Sequence, residues 1–156
     1  MIKTTQIYII DKDKWLLLLR NKKKNDINHD KWIAVGGKVE PGETVEECAI
    51  RETYEETGLV IDHLEHRGIV YFIYDEKEPE EMHIFTTSSF HGDLQECNEG
   101  TLKWIEQENL FTLPMWEGDR IYLERLLHGM NKFIYEFHYD KNDNLIAVKE
   151  LEVPHG

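Results

Sequence analysis

The stretch that decides the fold is "GGKVEPGETVEECAIRETYEETGLVI", which runs from Gly36 to Ile61 of the 156-residue chain. It contains seven glutamates but only two basic side chains, Lys38 and Arg51. Such an excess of carboxylates in one short stretch needs a structural or chemical reason.

The middle of this stretch predicts a helix from about Thr44 to Thr57. Thr44 and Glu47 have the spacing of a capping box, in which side chain and backbone of the two residues satisfy each other. Gly58 is the residue type that commonly ends a helix in the left-handed conformation.

Three glutamates of this helix, Glu52, Glu55 and Glu56, are expected on the side that carries its small apolar residues. Carboxylates spaced i, i+3 and i+4 repel one another, and burying an unpaired charge costs several kcal/mol. Arg51 can neutralise one of them, and the others require a metal ion. Oxygen-only ligands favour Mg²⁺ or Mn²⁺ over zinc. The alternative is a solvated acidic face, which explains most such glutamate clusters; the small apolar neighbours and the glycine-rich turn "VGGKVEPGE" before the helix count against it.

The flanking sequence predicts an α+β fold with a mixed sheet. We expect a first hairpin from "TTQIYIID" and "KWLLLLR" and a closing hairpin from "KFIYEFHYD" and "LIAVKELEV". Further strands are predicted at "WIAVGG", "LEHRGIVYFIYD", "EMHIFTTSSFHGD" and "LKWIE". "GDRIYLERLLHGM" has helical spacing and ends at a glycine. Because strands and helices do not alternate regularly, a doubly wound fold is not expected.

The composition indicates one cytoplasmic domain over residues 1–156. A net charge of -13 disfavours binding to nucleic acid polymers. No stretch approaches the ~20 apolar residues of a membrane helix, and the N-terminus lacks the features of a signal peptide. Cys48 and Cys97 have no metal-site spacing and are expected to be reduced thiols.

The spacing of residues 37–59 resembles the Nudix box, GX5EX7REUXEEXGU, where U is apolar. The matching residues are Gly37, Glu43, Arg51, Glu52, Glu55, Glu56, Gly58 and Leu59. Thr53 departs from the pattern, since it occupies a position where an aliphatic residue is usual. We expect that position to pack and not to react.

The resemblance implies an α/β/α sandwich that hydrolyses a nucleoside diphosphate linked to another group. It also implies a set of Mg²⁺ or Mn²⁺ ligands: Gly36 through its carbonyl, Glu52, Glu55 and Glu56. One glutamate, by preference Glu56, would take a proton from the attacking water. Arg51 would orient the glutamates, and Glu43 would be structural.

Three further segments, "KWIAVGGKVEPGET", "ECNEGTLKWIEQENL" and "MWEGD", resemble the MutT-type subgroup that hydrolyses oxidised purine nucleoside triphosphates such as 8-oxo-dGTP to the monophosphate and pyrophosphate. By that likeness Glu99 would be an additional metal ligand, and Trp116 and Asp119 would line the base pocket. An indole can stack on a purine, and a carboxyl group can read a purine edge. The alternative is that "MWEGD" is only a helix start with Trp116 in the core.

The basic loop with Lys22, Lys23 and Lys24, together with Arg20, is a candidate for contacting the triphosphate; a solvated charge run is the alternative. The complete set of expected substrate-binding residues is Arg20, Ile33, Gly37, Lys38, Trp116 and Asp119.

Two positions depart from the human member of the subgroup. Ile33 replaces an asparagine that contacts the base, and Gly118 with Asp119 replaces two adjacent aspartates. Base selectivity is therefore expected to differ or to come from backbone groups.

Other substrates fit the box as well: a sugar nucleotide, a dinucleoside polyphosphate or an isoprenoid diphosphate. A Nudix-like module that senses a nucleotide without cleaving it is a further alternative, although such modules usually lose box carboxylates. The expected partner is a small nucleotide, with no membrane contact, and the protein would be a monomer or a homodimer.

Overall fold

The computed structural model describes residues 1–22 and 26–154. The strands are β1 (Ile2–Asp11), β2 (Lys14–Leu19), β3 (Trp32–Ile33), β4 (Val60–Tyr74), β5 (Glu80–His91), β6 (Thr101–Glu106), β7 (Phe133–Tyr139) and β8 (Leu145–Leu151). The helices are α1 (Val45–Thr57), a 3₁₀ helix (Gln107–Thr112) and α2 (Glu117–Leu127). Within these residues, no helix has the length and apolarity needed to cross a membrane.

The strands form one mixed sheet in the order β3-β2-β1-β5-β4-β7-β8, with β6 on the other edge of β2. Both expected hairpins, β1 with β2 and β7 with β8, are present and antiparallel. β1 and β5 are parallel, as are β4 and β7. These two long-range pairings join the hairpins into one sheet, and they confirm the expected mixed-sheet class.

Side chains of the sheet alternate between two buried layers. On β1, Ile7 and Ile9 belong to the layer that contains Ala49 of α1, whereas Tyr8 belongs to the layer that contains Tyr122 of α2. Successive strand residues point to opposite faces, so the sheet is covered by α1 on one face and α2 on the other. The fold is therefore the expected α/β/α sandwich.

Helix α1 begins and ends as the sequence predicts. The Thr44 hydroxyl accepts a hydrogen bond from the Glu47 backbone N–H at 3.1 Å, and the Glu47 carboxylate accepts one from the Thr44 N–H at 3.0 Å. Gly58 follows the helix with φ 81°, and its N–H donates to the Tyr54 carbonyl at 2.8 Å. Both ends of α1 are thus satisfied by local contacts alone.

The turn "VGGKVEPGE" before α1, residues 35–43 and here called the glycine loop, is attached to β1. The predicted strand "WIAVGG" pairs with β2 only at Trp32–Ile33, and the chain then crosses to β1. There the Thr5 N–H donates to the Gly37 carbonyl at 2.9 Å. At Gly36, whose φ is +153°, an added Cβ would lie 1.9 Å from the Thr5 carbonyl oxygen. Only glycine allows the loop to approach β1 this closely.

The departure from the Nudix pattern at Thr53 has a cost in stability. Thr53 is fully buried, and no described residue bonds to its hydroxyl. Because a buried hydroxyl without a partner is destabilising, we expect Thr53→Val to raise the free energy of unfolding by about 1 kcal/mol. Chemical denaturation of both proteins measures this difference.

Thr57 provides the matched control one turn further along α1. Its hydroxyl donates to the Thr53 carbonyl at 2.6 Å and accepts from the Leu59 N–H at 3.0 Å. Thr57→Val removes both bonds and should lower the free energy of unfolding by about 1–3 kcal/mol. Equal effects of the two substitutions would contradict this account of Thr53.

Candidate active site

Three carboxylates approach one another between α1 and the segment before β6. Glu56 is only 8% exposed. Its carboxylate accepts a hydrogen bond from the Gly36 N–H at 2.7 Å and shares another with Glu99. Burial raises the pKa of Glu56 to about 9, and the nearby Glu99 carboxyl adds to the increase. Burial also raises the pKa of Glu52, with smaller contributions from the charges of Glu55 and Glu99.

Glu52 lies against the glycine loop. An added Cβ at Gly37 would lie 2.5 Å from the carboxyl carbon of Glu52. Real Cβ atoms do not approach other atoms so closely, so any other residue at this position would displace the carboxylate. The glycine at the start of the box therefore makes room for a glutamate of the same box.

Arg51 is the cation of this region, and it is engaged by several carboxylates. Its Nε and Nη2 donate to the two oxygens of Glu43 at 2.6 and 2.9 Å. Its Nη1 donates to Glu52 at 2.8 Å and to Glu55 at 3.2 Å. The hydrogen bonds from Arg51 lower the pKa of Glu43 to about 2. This geometry agrees with an orienting role for Arg51 and a structural role for Glu43.

The expectation that three glutamates share the buried side of α1 is wrong for Glu55. Its side chain is 57% exposed. Consecutive helix residues point about 100° apart, so the face that buries Glu56 turns Glu55 toward solvent. Ile50 and Tyr54 of the same helix are also exposed.

The donor set of the acidic cluster fits a hard divalent cation. Glu52, Glu56 and Glu99 supply carboxylate oxygens only, the type of ligand that Mg²⁺ and Mn²⁺ prefer. Among the residues the structure describes, no three acidic, histidine or cysteine side chains are yet close enough to surround one ion. The three glutamates are neighbours, and burial together with nearby carboxyl groups disfavours the charged forms of Glu52 and Glu56.

A cavity of about 480 Å³ has the glycine loop in its wall. All six residues expected from the sequence to bind substrate lie in its wall: Arg20, Ile33, Gly37, Lys38, Trp116 and Asp119. Gly36 also lines it. Gly36 and Gly37 therefore line the cavity and also contact Glu56 and Glu52 of the acidic cluster.

Arg20 connects the cavity to the acidic cluster. Its Nε lies 2.6 Å from a carboxylate oxygen of Asp26, and its Nη1 lies 3.2 Å from one of Glu99. Lys22 has a different environment, since its ammonium donates to the Cys97 carbonyl at 2.7 Å. Lys23 and Lys24 lie outside the described residues. Of the basic loop, Arg20 is thus the residue that the structure places at the cavity.

Trp116 is both a core residue and part of the cavity wall. The ring is 4% exposed and packs edge-to-face with Phe72 and Tyr139. The Lys31 ammonium lies 4.4 Å from its centroid, and Lys31 does not line the cavity. The indole therefore offers a base only a narrow strip of surface, and the less buried Phe72 adds aromatic surface to the same wall.

Asp119 lies at the buried end of the cavity. It is 7% exposed, and burial raises its pKa to about 7, although a hydrogen bond from Tyr122 opposes the increase. The Tyr122 hydroxyl also lies 3.2 Å from Gln6 Oε1, so Asp119 and Gln6 compete for its single proton. Asp119 is thus the acidic member of a buried polar network and can exist in either protonation state near neutral pH.

Several wall residues did not stand out in the sequence. They are Gln6, Asn28, Phe72 and, from the turn after β4, Lys77 and Glu78. None belongs to a motif or has diagnostic spacing. Each is brought to the cavity by sheet pairing or by a loop, which local sequence patterns do not encode.

Comparison with known proteins agrees with this geometry. The model of the NUDIX domain family matches residues 3–126. The chain belongs to the Nudix family. Its members are hydrolases, and Nudix hydrolases generally use a divalent metal ion.

Two curated relatives, from Danio rerio and Mus musculus, are named oxidized purine nucleoside triphosphate hydrolase. Each is 31% identical over 137 residues, which is 87% of this chain and 87% of the relative. The crystal structure of a MutT mutator protein from Bacillus halodurans superimposes with a TM-score of 0.86 at 29% identity, covering 99% of this chain and all of that one. The likeness extends beyond the Nudix box to the closing hairpin.

The buried Glu56 makes the metal-free protein sensitive to pH. Its pKa is about 9 in the fold against an ordinary 4.5, so between these values the folded state retains a proton that the unfolded chain has lost. Stability must therefore fall as pH rises through that range. In chelator, Glu56→Gln should leave stability unchanged at pH 4, raise it at pH 8 and flatten the decline between them.

Denaturation of wild type and Glu56→Gln at several pH values measures this difference. Glu46→Gln is the matched control, because Glu46 is an exposed residue in the first turn of the same helix. Parallel stability curves for wild type and Glu56→Gln would show that Glu56 is not a buried, protonated group.

Proposed function

We propose that this Nudix hydrolase cleaves purine nucleoside triphosphates, including oxidised ones such as 8-oxo-dGTP, to the nucleoside monophosphate and pyrophosphate with Mg²⁺. The observation that carries the proposal is the piece of backbone shared by the acidic cluster of Glu52, Glu56 and Glu99 and the cavity. Gly36 and Gly37 contact Glu56 and Glu52, and both glycines line the nucleoside-sized cavity.

The residues around the loop have separable tasks. Glu52, Glu56 and Glu99 would hold Mg²⁺, and Glu55 and the Gly36 carbonyl would join them. Bound divalent ions neutralise phosphate oxygens and acidify water. Arg51 holds Glu52 in place through its 2.8 Å hydrogen bond. Mn²⁺ is expected to substitute, since it prefers the same ligands.

Glu56 is the preferred proton acceptor. With metal ions bound, a Glu56 carboxylate would accept a proton from the attacking water, whose pKa divalent ions lower. Water adds across the anhydride bond, one product being the nucleoside monophosphate and the other pyrophosphate.

The orientation of the substrate in the cavity is inferred from the position of Arg20. This side chain lines the cavity and contacts Glu99 of the acidic cluster, so it lies where a triphosphate passes from the cavity to the acidic cluster. The base then occupies the end formed by Trp116, Asp119 and Phe72. A role in the cytoplasmic nucleotide pool follows from a small, soluble substrate of this kind.

The test is a panel of nucleotides incubated with Mg²⁺, with Mn²⁺ or with excess chelator. We expect cleavage of purine triphosphates that requires the metal ion and releases pyrophosphate. Separate assays for pyrophosphate and orthophosphate identify the product. Full activity in chelator, or orthophosphate as the sole product, would contradict the proposal.

Glu56→Gln should lower kcat by a factor of about 100 or more, because loss of a ligand or base removes several kcal/mol of transition-state stabilisation. Glu46→Gln is again the control and should retain wild-type kcat. If Glu56→Gln is nearly as active as wild type, another carboxylate is the base.

The base pocket is tested by Trp116→Ala and Asp119→Asn. Losing the indole should raise KM for purine triphosphates more than it lowers kcat, by roughly 5- to 150-fold in affinity if a base stacks there. Asp119→Asn should change the ranking among bases, since the triphosphate contacts remain. The measurement is kcat/KM for 8-oxo-dGTP, dGTP and dATP.

Two results would rule out this assignment of the pocket. One is an unchanged KM for every substrate with Trp116→Ala, which would make the indole a core residue only. The other is an equal change for all three bases with Asp119→Asn.

A further inference from the structure

The base end of the cavity has few groups that can read a base. Ile33 lines it with an apolar side chain, so it forms no hydrogen bond. Gln6 is engaged at both ends of its amide, since Oε1 accepts from Tyr122 at 3.2 Å and Nε2 lies 3.9 Å from the sulfur of Met82. Asp119 bonds to Tyr122. Asn28 is a further polar side chain of the cavity wall.

Asn28 is held in place by its backbone. Its N–H donates to the Asp26 carboxylate at 3.0 Å, and its carbonyl accepts from the Lys31 N–H at 2.9 Å. Asp26 is itself paired with Arg20. The loop that carries Asn28 is therefore tied to a residue of the cavity wall.

The orientation of the Asn28 amide is determined by Trp116. The indole Nε1 lies 2.7 Å from Asn28 Oδ1. An indole N–H can only donate, so the amide atom that faces it must be the oxygen. The Nδ2 group consequently points away from the indole, and no described residue accepts a hydrogen bond from it. Asn28 thus presents a donor of fixed orientation in the cavity wall.

We propose that Asn28 determines base specificity, its Nδ2 group donating to a carbonyl oxygen on the edge of the purine. A donor of fixed orientation favours a carbonyl and opposes an amino group at the same position, because two donors facing each other leave both unpaired. This inference rests on the proposed function and assigns the selectivity that Ile33 does not supply.

The test compares substrates that differ in one carbonyl. Deoxyinosine triphosphate and dATP differ at position 6, where one has a carbonyl and the other an amino group. The 8-oxo form of dATP differs from dATP at position 8. We expect wild type to prefer the carbonyl-bearing member of at least one pair in kcat/KM, and the pair that responds identifies the edge that Asn28 reads.

Asn28→Asp is the decisive variant. It keeps an oxygen for the indole and replaces the donor by an acceptor, so the preference ratio for that pair should fall by about 5- to 150-fold. Asn28→Ala, which removes both groups, should lower the ratio less. Asn109→Asp makes the same chemical change at an exposed position of the 3₁₀ helix and should leave the ratio unchanged.

Trp116→Phe separates recognition from a structural role. Phenylalanine keeps an aromatic ring but has no N–H, so the Asn28 amide is free to rotate and present either atom. The preference ratio should then approach one even though Asn28 is present. If Asn28 only supported the indole, this variant would change both members of a pair equally and the ratio would persist.

The outcomes distinguish this inference from the proposed function. Wild-type hydrolysis with ratios that Asn28→Asp and Trp116→Phe leave unchanged, in proteins with wild-type Tm, would overturn the role of Asn28 and retain the function. If wild type hydrolyses no purine triphosphate, the proposed function fails. Calorimetry without metal ions then gives the Kd of each nucleotide, and the ratio of the two Kd values in a pair replaces the ratio of kcat/KM. A ratio that inverts in Asn28→Asp would still support the inference, and no preference or no binding would overturn it.

Discussion

A buried carboxylate controls the arrangement of this site. Glu56 is packed beneath the glycine loop, and its main compensating contact is the Gly36 N–H at 2.7 Å. Arg51, one turn earlier, is engaged with Glu43, Glu52 and Glu55. Burial with so few compensating contacts favours the protonated form of Glu56, and under the proposed function a divalent cation would supply the missing countercharge.

The glycine loop makes this burial possible. Gly36 lies so close to β1 that a side chain would collide with the Thr5 carbonyl, and Gly37 leaves the space that the Glu52 carboxylate occupies. Because the loop is hydrogen-bonded to β1, the position of α1 relative to the sheet also positions the carboxylates. The same loop is a wall of the cavity, so under the proposed function one piece of backbone would align a bound nucleotide with the acidic cluster.

The residues proposed for base selectivity and those proposed for catalysis belong to different elements. The carboxylates belong to α1 and to the segment before β6, whereas the base end of the cavity combines the start of α2, a strand residue from β4 and the loop that carries Asn28. The loop and α2 meet through the hydrogen bond between Trp116 and Asn28. Substrate preference can therefore diverge among Nudix hydrolases while the acidic cluster is retained.

The sequence by itself determined helix α1, its capping box and its terminal glycine, because all of these depend on contacts between residues a few positions apart. It also indicated the carboxylate chemistry, since the spacing of Glu52 and Glu56 places both on one side of a helix. Helical spacing alone did not predict that Glu55 is exposed, because its exposure depends on how far the sheet and the glycine loop enclose α1. Only the tertiary structure decided the parallel pairing of β1 with β5 and of β4 with β7, the near-complete burial of Trp116 and the entry of Asn28 into the cavity. These features join segments separated by tens of residues, and their energy comes from packing and hydrogen bonds that form only once the whole sheet is assembled.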